Sequence, residues 1–210
     1  FVIGRWLRPK VRELYDLPAT PRFLPTPVAV PDSVGKAEVP TVLWMARLDR
    51  RKRPELFLRL APLFPRVRFV VAGKSRDASW EAALRERWGG LPNVEFVGFV
   101  DQFDGSRHSQ LLGEAWVLVN CATREALPNS FIEGAAHRCA LLSHVDPDEM
   151  ATRFGHHAAD HDFARGLAHL LEGDRWRALG EAAADWTRET FGLERSIDRH
   201  LEIYRDLAGR

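Results

Sequence analysis

The sequence predicts an α/β fold built on a parallel sheet with helices on both faces. Three observations carry the prediction. Five short apolar runs recur from residue 41 onward, each read as a buried strand. Segments with helical spacing lie between them. The last fifty residues carry helical spacing alone.

The elements follow in order. TVLWMA (41–46) is the first strand. RPELFLRLAPLF (53–64) has helical spacing, with Leu56, Leu60 and Leu63 on one face. VRFVVAG (67–73) is the second strand, ending in glycine, and Trp80 to Trp88 is a helix. NVEFVGFV (93–100) is the third strand, and Gln110 to Glu114 belongs to a short helix. AWVLVNC (115–121) is the fourth strand, Asn129 to Arg138 a helix, and CALLSH (139–144) the fifth strand. Helices over Asp162–Leu171, Arg175–Phe191 and Glu194–Leu207 form the tail, with Gly192 separating the last two. Right-handed crossovers then give a doubly wound, Rossmann-like domain with a helical C-terminal tail. Ahead of it, Trp6 to Leu17 is an amphipathic piece. Five prolines between Pro18 and Pro31 make the next stretch extended and stiff, a connector or an edge strand at Val28 to Val30. The boundary falls near residue 20: residues 1–20 read as the end of a preceding lobe plus linker, and residues 21–210 as the domain. On that reading Phe1, Val2, Trp6 and Leu7 lack packing partners, because Phe1-Val2-Ile3-Gly4 reads as a chain entered midway and not as a signal peptide.

Composition excludes some functions. Lys plus Arg number 30 and Asp plus Glu 29, so the net charge of +1 gives no general pull toward nucleic acid or an anionic membrane. No apolar run approaches the ~20 residues of a membrane span. Two cysteines make no disulfide framework, and Cys121 and Cys139 read as buried thiols of a cytoplasmic protein.

In an open α/β sheet ligands bind beyond the carboxyl ends of the strands. Two loops there stand out. ARLDRRKRPEL follows the first strand and carries Arg47, Arg50, Arg51, Lys52 and Arg53 beside a helix start, an anion site by charge and position. REALPNSFIEGAA (124–136) follows the fourth strand and sets Glu125 before a turn and Glu133 inside the next helix. Asn129 or Ser130 can cap that helix, and Ser130-x-x-Glu133 matches a capping box, which accounts for Glu133 but not Glu125. Two carboxylates beside a cationic loop fit a ligand with both hydroxyls and phosphates, as a nucleotide sugar has. GHHAADHDF (155–163), with His156, His157, Asp160 and His161, lacks regular metal-ligand spacing and reads as a polar surface loop.

The loop Ala46-Arg47…Lys52, the pair Glu125-x7-Glu133, and EALPNSFIEGAA followed by VDPDE together resemble family 4 retaining glycosyltransferases. The resemblance is to their C-terminal donor-binding domain, one half of the two-domain GT-B fold, and covers about residues 20–205, NVEFVGFVD and the helical tail included. It implies that Arg47 and Lys52 neutralise the donor diphosphate. It implies that Glu125 contacts the transferred sugar and Glu133 the ribose hydroxyls. Backbone amides of Leu127, Asn129 and Ser130 would face the phosphates, while Gly73 and the Phe99-Val100 strand end would border the base. It implies no cofactor and no metal site, only a UDP-, GDP- or ADP-sugar as substrate, and an acceptor site in an N-terminal lobe. Any membrane contact would run through that lobe. Three positions depart from the family's usual glycines: Ala46 before Arg47, Ala126 after Glu125, and His137-Arg138 after the second glutamate. Another GT-B enzyme, such as a nucleotide-sugar epimerase or a glucan phosphorylase, is the alternative. The loops show no acid-base pair for the first and only Lys74 as a pyridoxal lysine for the second. A flavodoxin-like module would need an acidic first loop, and nucleic-acid binding would need aromatics beside the basic one.

Overall fold

The computed structural model describes residues 1–103 and 105–209. Six parallel strands form one sheet: β1 (Thr41–Met45), β2 (Arg68–Ala72), β3 (Val94–Gly98), β4 (Val117–Asn120), β5 (Ala140–Ser143) and β6 (Gly155–His157), in the order β3-β2-β1-β4-β5-β6. The chain winds outward from β1 to β3, then returns to β4 on the other side of β1. The crevice above β1 and β4 is where connections leave in opposite directions.

Successive strand residues feed opposite cores, as the pleat demands. Val42, Trp44, Phe69, Val71, Val117, Val119 and Leu142 face one layer. It is completed by α2 (Pro54–Leu58), α3 (Ala78–Trp88) and α7 (Phe163–Leu171), through Phe57, Trp80, Leu84 and Leu167. Leu43, Val70, Ala72, Leu118 and Leu141 face the other. There α4 (Gly105–Glu114), α5 (Asn129–Ala136), α6 (Met150–Phe154) and α8 (Arg175–Phe191) supply Leu111, Leu112, Phe131, Ile132, Met150 and Phe191. Because both faces are covered, the inner strands β2, β1, β4 and β5 are largely apolar, whereas the edge strands β3 and β6 are half-buried.

Several elements differ from the sequence reading. The helix expected over 53–64 is α2 followed by a separate 3₁₀ turn at Ala61–Leu63. Pro62 has no N–H to give and its ring excludes the carbonyl four residues back. Of the expected face Leu60 is buried and Leu56 packs against the core, but Leu63 is exposed, and Phe57 and Leu58 are fully buried. The short helix that holds Gln110 to Glu114 starts earlier, at Gly105. No strand runs through Val28–Val30; Val28 alone bridges to Gly192, its N–H bonding Phe191 O at 2.9 Å. The stretch read as a polar surface loop carries β6, with His156 opposite Leu142 and His157 opposite Ser143. Three residues of ladder suffice at a sheet edge because the backbone, not the side chains, makes the pairing.

The opening segment is better anchored than expected. Val2 is buried, its N–H bonding Arg22 O at 3.0 Å and its C=O accepting from Leu24 at 2.9 Å, while Phe1 stays exposed. It leads into α1 (Leu7–Leu14). Farther on, residues 31–37 pass under the amino ends of the strands as a strap. Arg138 donates to Pro31 O (3.0 Å) and Asp32 O (2.9 Å), and Trp116 Nε1 to Ala37 O (2.9 Å). Lys36 Nζ reaches the carbonyls of Ala115 and His137, capping the ends of α4 and α5, and burial holds its pKa below the ordinary lysine value. The last helix, α9 (Leu193–Ala208), leaves Leu193, Ile197, Leu201, Tyr204 and Leu207 exposed. Among the described residues no helix is long and apolar enough to cross a membrane.

Candidate active site

The floor of the crevice is set where three loops meet. Ala46 N bonds Ala72 O (3.1 Å), Leu48 N bonds Lys74 O (3.2 Å) and Gly73 N bonds Gly98 O (2.7 Å). Gly73 has φ +152°, and a Cβ there would sit 1.9 Å from the Ala46 carbonyl oxygen. Only glycine lets the loops after β1 and β2 approach this closely.

The loop after β1 sorts its cations. Asp49 accepts from Arg51 N (2.9 Å), starting a 3₁₀ turn at Arg50–Lys52, and its other oxygen takes the Arg51 guanidinium at 3.2 Å. Those bonds from Arg51 hold the Asp49 carboxyl down at about 2. Arg50 lies over Trp80 (5.2 Å) and toward Asp77 (3.9 Å). Arg53 takes a left-handed backbone (φ 49°) and turns inward to bond Cys121 O at 2.5 Å. Three of the five cations expected at the anion site are therefore directed elsewhere, and Arg47 and Lys52 line the cleft.

The loop after β4 brings the carboxylates. Asn120 closes the strand, its Oδ1 accepting from Ala122 N (2.8 Å) and its Nδ2 approaching Glu125 Oε1 at 3.4 Å. The same Glu125 oxygen pairs with Lys52 Nζ. Pro128 is the N-cap of α5 and provides no side-chain acceptor, so the amides at the start of the helix open on the cleft. The expected capping box at Ser130 and Glu133 does not form, because Asn129 already lies inside the helix. Glu133 faces His108 Nε2 across 3.5 Å instead. That opposition is set by His137, which joins α5 to α4: Nδ1 contacts Glu133 O at 2.8 Å and Nε2 contacts Ser109 Oγ at 2.9 Å. A carbonyl only accepts, so Nδ1 carries the proton and Nε2 accepts from the hydroxyl. Burial keeps this imidazole below its ordinary pKa and hence neutral.

Together these groups border one cleft of about 860 Å³. Arg47, Lys52, Gly73, Phe99, Val100, Glu125, Leu127, Asn129, Ser130 and Glu133 all line it. Sequence reasoning missed His108, which lies in the part of α4 ahead of the Gln110 to Glu114 span. It also missed Asn120, whose position at a strand's carboxyl end was the available signal, and Arg76 and Asp101 on the loops after β2 and β3. The 155–163 stretch lies away from the cleft. Among the described residues no group of three or more His, Cys, Asp or Glu is arranged to hold a metal.

Two of the departures from the usual glycines are accommodated. Ala46 keeps a negative φ and so needs no glycine. Arg138 does take a left-handed φ of 58°, where a glycine would be unstrained, and is held there by the strap carbonyls and by Glu181 at 2.9 Å.

Over residues 39–172, more than half its length, the sequence matches the family described as glycosyl transferases group 1. The chain belongs to that family. Its fold matches one half of GT-B glycosyltransferase structures. The pneumococcal O-GlcNAc transferase GtfA, in complex with UDP and GlcNAc, superposes with a TM-score of 0.81 at 13% identity, over 100% of this chain and 45% of that one. A mutant of TarM from S. aureus, in complex with Fondaparinux, alpha-GlcNAc-glycerol and UDP, gives 0.79 at 16% identity, over 97% and 43%. Sucrose-phosphate synthase from Thermosynechococcus elongatus gives 0.78 at 17%, over 99% and 58%. The chain thus spans about half the length of the structures it matches. No curated protein matches it in a sequence comparison.

Proposed function

We propose that this group 1 glycosyltransferase chain is the donor-binding half of a family 4 retaining enzyme that takes a UDP-sugar. The observation that carries the reading is the convergence of two cations, two carboxylates and an uncapped helix start on one cleft. Arg47 and Lys52 meet the diphosphate. Their fixed charge stabilises the leaving nucleotide as its bond to the anomeric carbon lengthens. They do the work a divalent metal would do, so the reaction needs no cofactor. The α5 amides add to that field. Glu125 accepts from the transferred sugar's hydroxyls and Glu133 from the ribose hydroxyls. Retention follows front-face attack, in which the acceptor hydroxyl bonds the anomeric carbon as the phosphate leaves and gives its proton to that phosphate. UDP is favoured because GtfA and TarM were each solved with it. The acceptor site belongs to a second lobe, as the length of the matched structures supports, and the product is a polysaccharide or another glycoconjugate. Its two cysteines are free thiols, which suits the cytoplasm.

Thermal shifts with UDP, GDP and ADP test the reading. A ligand at about 100 times its dissociation constant stabilises a fold by ~2.7 kcal/mol. UDP should raise the midpoint, and Lys52→Ala or Glu133→Ala should abolish the rise. A folded sample that responds to none of the three overturns it.

A further inference from the structure

We propose that Trp6 is a positioning residue for the donor cleft: its indole fixes the peptide between Ala126 and Leu127 so that the Leu127 N–H is presented to the ligand. The proposal rests on the donor-site reading above and adds to it a residue from outside the cleft.

Three contacts dock the opening segment on two site loops. Asp148, on the loop after β5, accepts from Arg5 N (2.9 Å) and Trp6 N (2.7 Å), so it caps the start of α1 from the far end of the chain. It does so from a left-handed backbone (φ 53°), a conformation Asp tolerates better than most residues. Gly4 lies so near Leu127 that a Cβ on it would come within 3.5 Å of the Leu127 Cβ and 3.1 Å of the Trp6 ring. Trp6 Nε1 then donates to Ala126 O at 2.5 Å, with the Lys10 ammonium 4.1 Å over its ring.

The consequence follows from peptide geometry. A trans peptide is planar, with C=O and N–H pointing in opposite directions. Glu125, Leu127 and Pro128 line the cleft, whereas Ala126 and Trp6 do not. A donor that holds the Ala126 carbonyl on the outer side turns the Leu127 N–H inward. Among the described residues that N–H has no protein acceptor, which leaves it free for an anion or a sugar oxygen. The peptide sits one residue after Glu125, so freeing it loosens that carboxylate as well.

The test is Trp6→Phe, which keeps the ring and removes the donor. Dissociation constants for UDP and UDP-glucose are measured by calorimetry on the 210-residue chain, together with the Leu127 amide ¹⁵N shift in leucine-labelled protein. The loss of one neutral hydrogen bond predicts a weakening of ~3–10-fold for at least one ligand. The Leu127 shift should move, with little change in the ligand-free melting midpoint. Asp148→Asn, which loosens the same segment without touching the indole, should act in the same direction. Wild type and Trp6→Phe binding UDP and UDP-glucose equally, with the Leu127 shift unmoved, would overturn the proposal and leave the donor-site reading intact. Binding of neither ligand to folded wild type would overturn both.

Discussion

In the cleft Lys52 is paired with Glu125, the carboxylate read as the sugar contact. On the proposed reading, a donor diphosphate takes Lys52 from it. Neutralising that partner should therefore tighten the binding of UDP, although it removes the group proposed to hold the transferred sugar. The two side chains are 27% and 12% exposed, so the pair is largely withdrawn from water. Exposed pairs contribute ~0.2–1 kcal/mol, and breaking a fully buried one costs about 3–5 kcal/mol. A pair between these limits is worth about 1.5 kcal/mol, or roughly tenfold in affinity. Glu125→Gln should lower the UDP dissociation constant by about that factor in calorimetry, while Lys52→Met raises it. Removing a negative charge from the cleft would also help an anion without any pairing, and a double-mutant cycle separates the two effects. If pairing is the cause, Glu125→Gln gains little in the Lys52→Met background. A full gain there, or unchanged UDP binding in Glu125→Gln alone, refutes the argument.

Other outcomes follow from the same structure. Gly73→Ala places a Cβ against the Ala46 carbonyl; backbone strain of about 3 kcal/mol should lower the melting midpoint by about 6–12 °C. Burial depresses the pKa values of His137, His144 and His156. The unfolded chain then binds more protons, so stability should be complete above the ordinary histidine pKa of about 6.5. It should fall as the pH drops below that value, seen as a lower urea midpoint at acid pH. Cys121 and Cys139 are fully buried with thiols pushed up by burial; neither should react with an aromatic disulfide until the protein unfolds. Arg138→Gly relieves a left-handed φ yet removes the ties to the strap and Glu181. The net effect should be a loss of about 1–2 kcal/mol, read in urea unfolding; a gain would show that the ties contribute nothing.

Four of the first five strands were legible because they are buried on both faces, and burial writes itself as a run of apolar residues; β3, half-buried at the sheet edge, kept enough of that pattern to be read. The two glutamates and the basic loop after β1 were legible because both loops follow strands that end at the switch point, while the choice of Arg47 and Lys52 among its five cations came from the resemblance. What the sequence concealed was decided by backbone geometry and by competition between neighbours. β6 carries Gly155, His156 and His157, with no apolar signature, and exists because β5 offers it a ladder. The sorting of Arg50, Arg51 and Arg53 away from the cleft depends on Asp49, Asp77, Trp80 and the Cys121 carbonyl, which are adjacent only in space. The capping box at Ser130 failed because the helix starts two residues earlier, with Pro128 as its N-cap. Pro62, by contrast, was visible as a breaker and should have split its helix at once.

The strap at residues 31–37 has a consequence for how this protein tolerates change. It is gripped by its carbonyls, at Pro31, Asp32 and Ala37, from Arg138 and Trp116. Its Lys36 side chain reaches back to bond the helix ends. A saturation scan should therefore find Asp32 and Ala37 permissive, since every amino acid brings the same carbonyl. Intolerance should fall on Lys36, and on two residues about eighty to a hundred positions downstream in the chain. The instructions for placing this ribbon are written almost entirely outside it.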